Sequence, residues 1–126
     1  MVKIVPVRRV NPQDVEAPQK FYAAAVADGK VDLKRLARNI SKRCTVTRTD
    51  CLAVLDAFMD SIIEELEDGK RVELGEFGTF AITVRSHGEE SAEEVTSNNI
   101  RKAHMRFRPG KEFRSMLRRL EFSRAG

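Results

Sequence analysis

The spacing of apolar residues along this chain changes from three-and-four to two, and each change marks an element. Between Leu33 and Lys42, the residues Leu36, Ala37 and Ile40 form a stripe at helical spacing, Lys34, Arg35, Arg38 and Lys42 project elsewhere, and Asp32 stands where an N-cap belongs. Thr47-Arg-Thr-Asp50 has the threonine-to-carboxylate spacing of a capping box, and the helix it starts is predicted to run to about Glu67 before Gly69 ends it. Along that helix Leu52, Leu55, Phe58, Met59, Ile62, Ile63 and Leu66 recur at three and four.

The period then becomes two. Leu74, Phe77 and Phe80 around Gly75 and Gly78, followed by Ile82 and Val84, predict a strand, a glycine-hinged turn and a longer strand with one apolar face. Downstream, Ala103, Met105 and Phe107 alternate with Lys102, His104, Arg106 and Arg108, a strand apolar on one side and basic on the other. Pro109-Gly110 stops the ladder and starts a helix to Leu120, with Phe113, Met116, Leu117 and Leu120 inward and Arg114, Arg118 and Arg119 outward. At the other end, residues 3–10 predict an edge strand, residues 11–18 with their two prolines a loop, and residues 21–26 a helix or a strand; a strand pairing with residues 3–10 is favoured. The tail from Glu121 to Gly126 carries no pattern.

The second helix has more large apolar residues than one short neighbouring helix covers, and two phenylalanine-bearing strands add to the surplus. The expectation is a dimer with Leu55, Phe58, Ile62, Phe77, Phe80 and Phe107 in its shared core.

Gly75-Glu-Phe-Gly-Thr-Phe80 and Phe107-Arg-Pro-Gly-Lys111 together resemble the paired signatures of the HU/integration host factor family of bacterial histone-like DNA-binding proteins. The resemblance covers about Val31 to Leu120 in the family's element order, and is nearest the HU-related subgroup with an N-terminal extension, common in Bacteroides-type bacteria. It implies an α+β, HU-like fold: two helices, a three-stranded sheet carrying an arm, and a final helix, built as an intertwined homodimer. On this reading residues 31–126 are the DNA-binding domain with an arm at 86–99, and residues 1–30 are an extension packed on that core and available to cover a sheet edge. It also implies that the dimer embraces bent duplex with two arms in the minor groove and reads little sequence.

Charge sharpens this reading. The net charge of +4 permits nucleic-acid binding without requiring it, but the charges are segregated: all acidic from Thr49 to Asp68, all basic from Arg101 to Lys111. The candidate contacts to double-stranded DNA are Arg85, Arg101, Lys102, Arg106, Arg108, Lys111 and Arg114, cations that neutralise phosphates and release counterions. The arm departs from the family pattern. Ser86 to Asn99 holds no proline, lysine or arginine, and four glutamates, Glu89, Glu90, Glu93 and Glu94, so it lacks the wedge and the charge that a groove-entering arm needs. Asn98 and Asn99 read as a turn or as minor-groove contacts.

No nucleophile–base pair, cleft carboxylate pair or ligand spacing for a metal can be assembled; His87 and His104 read as surface residues, Cys44 and Cys51 as buried small hydrophobes. The expectation is no enzyme, no cofactor, no metal and no small-molecule substrate. With no long apolar run and no secretory-signal pattern, no membrane association is expected, and the location is cytoplasmic, on the nucleoid. The primary reading is a sequence-independent, DNA-organising homodimer. The alternative is a protein-interaction module on the same scaffold whose acidic arm binds a protein partner; a third reading keeps DNA binding and has the acidic arm regulate it by covering the basic face until displaced.

Overall fold

A computed structural model describes residues 1–126 as two three-stranded sheets and three helices, an α+β arrangement. The central body begins with α1 (Leu33–Ser41), whose N-cap Asp32 accepts the Arg35 amide at 2.9 Å, and α2 (Arg48–Glu67), whose N-cap Thr47 accepts the Asp50 amide at 3.1 Å. Short side-chain acceptors at these positions satisfy amides that have no partner inside the helix, so both helices start where the sequence places them. Gly69 follows α2 with φ 81°, the left-handed conformation that closes a helix.

After α2 the chain forms the central sheet: β3 (Val72–Glu73), β4 (Gly78–Ser86) and β5 (Ile100–Pro109), paired antiparallel in that order, with α3 (Lys111–Arg119) following. Register puts Phe80 across from Phe107, Ile82 from Met105 and Val84 from Ala103 on one face. Phe77, Phe107 and Phe113 meet edge to face on that side, with Phe77 5.2 Å from Phe113 and 5.9 Å from Phe107 between ring centroids. The two glycine-containing signatures are joined here. The Gly110 amide donates to the Phe77 carbonyl at 2.9 Å and the Glu112 amide to the Glu76 carbonyl at 3.3 Å, tying the β3–β4 turn to the start of α3. A Cβ on Gly110 would fall on the Glu76 backbone, so only glycine allows this approach.

The N-terminal residues form a separate sheet. β1 (Val2–Arg9) pairs antiparallel with β2 (Lys20–Val26), which settles residues 21–26 as a strand. The tail, patternless in the sequence, supplies β6 (Phe122–Arg124), which runs parallel to β1, Val2 opposite Phe122 and Ile4 opposite Arg124. The extension therefore pairs with the chain's other end and not with an edge of the central sheet. Its pairing is long-range, and three residues are too few to show a period.

The chain by itself buries very little. Its accessible surface is 11,049 Å², against about 6,800 Å² expected of a compact protein of its mass. Ala37, Cys51 and Leu66 are its only buried hydrophobic residues. On α2 the inward stripe runs through Cys51, Leu55, Ile62 and Leu66, while Val54, Phe58, Met59 and Ile63 form a second stripe open to solvent. Of the six residues expected in a shared core, Leu55, Ile62 and Phe80 are half-buried, and Phe58, Phe77 and Phe107 are exposed in the single chain. Cys44 is exposed, contrary to the expectation of burial, and its thiol donates to the Ile40 carbonyl; Cys51 is buried. No helix is long and apolar enough to cross a membrane.

Candidate nucleic-acid interface

Side chains alternate across a strand, so the face of the central sheet opposite the phenylalanines is fixed by the same register. On it Thr79 stands across from Arg108, Ala81 from Arg106, Thr83 from His104 and Arg85 from Lys102. β5 contributes the long cations, and β4 mostly the small residues beside them. Thr79, Ala81 and Thr83 line one depression together with Arg106 and Arg108, both of which are exposed. The cations on β5 extend over about 20 Å of strand, a length along which duplex DNA carries roughly a dozen phosphate charges.

Two shallow depressions lie on this side and share Thr79 and Arg108. One, of about 400 Å³, lies between Arg71, Glu73, Thr83 and Arg106; the other, of about 410 Å³, lies between the β3–β4 turn and the start of α3, with Lys111 and Arg114 on its rim. Gly110 is the N-cap of α3 and has no side chain, so nothing from the cap covers the partial positive charge at that terminus. Arg108, Lys111 and Arg114 thus converge on one helix start, as the sequence pattern anticipated.

None of these cations is neutralised within the chain. The ion pairs involve only Lys70, with Glu65 and Asp68, and Arg71, with Glu73 at 2.7 Å. Arg85 and Lys102 stand directly opposite each other, a like-charge pair that opposes folding unless an anion lies over it.

The structure separates Arg101 from the row. The ladder steps from Arg85–Lys102 to Ser86–Ile100, which leaves Arg101 as the extra residue of a bulge with no cross-strand partner. Conversely, Arg71 sits at the edge of the depression beside Arg106 and Arg108 and was missed by pattern reading, since a cation before a two-residue strand belongs to no period.

The arm is a closed knot and not a ribbon. Two 3-10 turns, Ala92–Glu94 and Ser97–Asn99, fold it back to β5. Asn99, 6% exposed, holds it: its Oδ1 accepts the Thr96 amide at 2.8 Å and its Nδ2 donates to Glu89 Oε1 at 2.8 Å. The His87 amide donates to the Asn99 carbonyl at 2.9 Å. Asn99 is committed to the chain itself, which takes it out of the candidate groove contacts, and Glu90, Glu93 and Glu94 remain exposed.

Residues 2–124 match the HU-HIG family model, described as an HU domain fused to wHTH, Ig, or glycine-rich motif. Among solved structures, the chain is similar to a crystal structure from Bacteroides vulgatus described as a putative bacterial DNA-binding protein. The TM-score is 0.68 at 14% identity over 98% of this chain, which spans 47% of the other's length. No curated protein matches the sequence.

Proposed function

From the premise that this chain belongs to the HU-HIG family, we propose that it binds double-stranded DNA through the basic face of its central sheet, without reading sequence. The observation that carries the proposal is the row Lys102, Arg106 and Arg108 with Arg85 alongside, continued by Lys111 and Arg114, none paired to a carboxylate. Cations on a sheet face, with threonine and alanine beside them, meet phosphates and make no base-edge pattern. The DNA-binding description of the Bacteroides structure, whose fold this chain shares, supports the same partner. We take the N-terminal extension to place the chain in the Bacteroides-type subgroup, acting in the cytoplasm on the nucleoid as a DNA-organising protein.

The active unit we propose is a homodimer. It rests on the unused apolar surface: the open stripe of α2 and the phenylalanine face of the sheet, with Met105 61% exposed. An accessible area some 4,000 Å² above the compact expectation exceeds the roughly 1,000–2,500 Å² that each subunit of an obligate dimer commonly covers, so such an interface fits within it. The closed acidic arm argues against entry into the minor groove, and we propose binding with little kinking.

A set of equal-length duplexes of unrelated sequence tests this reading by fluorescence anisotropy. Dissociation constants within a few-fold of one another are expected. A hundredfold preference for one sequence, or no binding at low salt, overturns it.

The ordered arm favours one further reading, in which Glu90, Glu93 and Glu94 present a fixed acidic surface to a basic protein partner. Changing the three to glutamine abolishes capture of such a partner if this holds; unchanged capture removes the reading.

A further inference from the structure

The charges on the N-terminal sheet are all of one sign: Lys3, Arg8, Arg9, Lys20 and Arg124, with no carboxylate on any of its three strands. It also exposes the aromatic rings Phe21, Tyr22 and Phe122. Register sorts these groups onto two faces. On one, Arg8 lies over the Phe21 ring at 5.1 Å, so cation and ring satisfy each other. On the other, Arg9 stands directly across from Lys20 and Val7 from Tyr22, which is 51% exposed and has no aromatic or cationic partner. Arg9 and Lys20 are a second like-charge pair without a counter-ion, unfavourable until an anion joins them.

Arg9, Lys20 and Tyr22 border a recess. They form one side of this open concavity of about 660 Å³, and Asn11, Pro12 and Pro18 of the β1–β2 loop form the other. Its size suits a small organic group, and its lining combines a free ring, two cations and a proline-stiffened wall. Phosphate neutralisation explains the cations but not the ring. A duplex shows no base faces, because they are stacked inside it, whereas an unpaired strand offers both phosphates and bases.

We propose that this recess is a second nucleic-acid site, specific for single strands, in which a base stacks on Tyr22 while Arg9 and Lys20 hold the phosphates beside it. It goes beyond the duplex reading and shares no residue with the basic face of the central sheet. A protein with both sites holds duplex on one sheet and a displaced or frayed strand on the other.

Tyr22 is the chain's one tyrosine, and there is no tryptophan, so the site carries its own reporter. Titration of the intact protein with a short oligothymidylate, corrected for absorption with free tyrosinamide, is expected to quench tyrosine fluorescence to saturation; a blunt duplex of the same length is expected to leave it largely unchanged. Tyr22→Ala is expected to weaken oligothymidylate binding, followed by anisotropy of a labelled strand, by roughly 5- to 100-fold. Tyr22→Phe, which keeps the ring, retains that binding, and Arg106→Ala with Arg108→Ala lowers duplex affinity alone. Absence of quenching overturns the proposal, as does Tyr22→Ala binding within twofold of the parent or loss of single-strand binding on changing Arg106 and Arg108. Equal quenching by duplex also overturns it, and leaves the duplex reading intact.

Discussion

Arg85 on β4 stands directly across the ladder from Lys102 on β5, and neither is paired to a carboxylate. Side chains in this relationship lie close enough to interact, so two positive charges there oppose the fold that holds them. A site kept at some cost to stability predicts that stability and binding move in opposite directions. Arg85→Thr is expected to raise unfolding free energy by a few tenths of a kcal/mol and to weaken duplex binding severalfold. Urea unfolding and anisotropy on the same preparation check it; a variant both less stable and equally tight contradicts it.

The joint between the two glycine signatures is steric. Gly110→Ala places a methyl group on the Glu76 backbone while the Gly110 amide must still reach the Phe77 carbonyl. The turn and the start of α3 must separate, which is expected to cost about 3 kcal/mol or more and to lower the thermal midpoint by about 10 °C. Differential scanning calorimetry reads this directly, and a shift under 2 °C would contradict it.

The exposed stripe on α2 separates a monomer from a dimer. Phe58 is 44% exposed in the single chain, so Phe58→Asp would do little harm to a protein that works alone. In the dimer proposed here it buries a carboxylate against apolar surface, and the expected result is dissociation or unfolding at concentrations where the parent is dimeric. Sedimentation equilibrium decides between them; an unchanged dimer mass would move the shared surface elsewhere.

Much of this was legible in the sequence because it rests on periods. Asp32 and Thr47 start helices where their spacing says, and the alternation from Lys102 to Arg108 became one basic and one apolar face because β4 keeps register with β5. What the sequence hid depends on distant partners. β6 exists because β1, over a hundred residues earlier, offers it an edge, and Arg71 enters the site only because β3 lies beside Thr79. The bulge that removes Arg101 from the row is one residue of slip between two strands, invisible in either strand read alone. Asn99 looked like a turn residue or a groove contact; its burial against Glu89 and Thr96 appears only once the arm closes.

The salt dependence of duplex binding tests the central claim most directly. Measured by anisotropy over a range of salt concentrations, the logarithm of affinity for the parent should fall linearly with the logarithm of salt, and its slope counts the phosphate contacts at about 0.9 each. Arg106→Ala with Arg108→Ala should make that slope shallower by about 0.9 for every contact removed, at every duplex sequence tried. A parent slope near zero, or a steep slope that the double variant leaves unchanged, would contradict the assignment of duplex binding to this face.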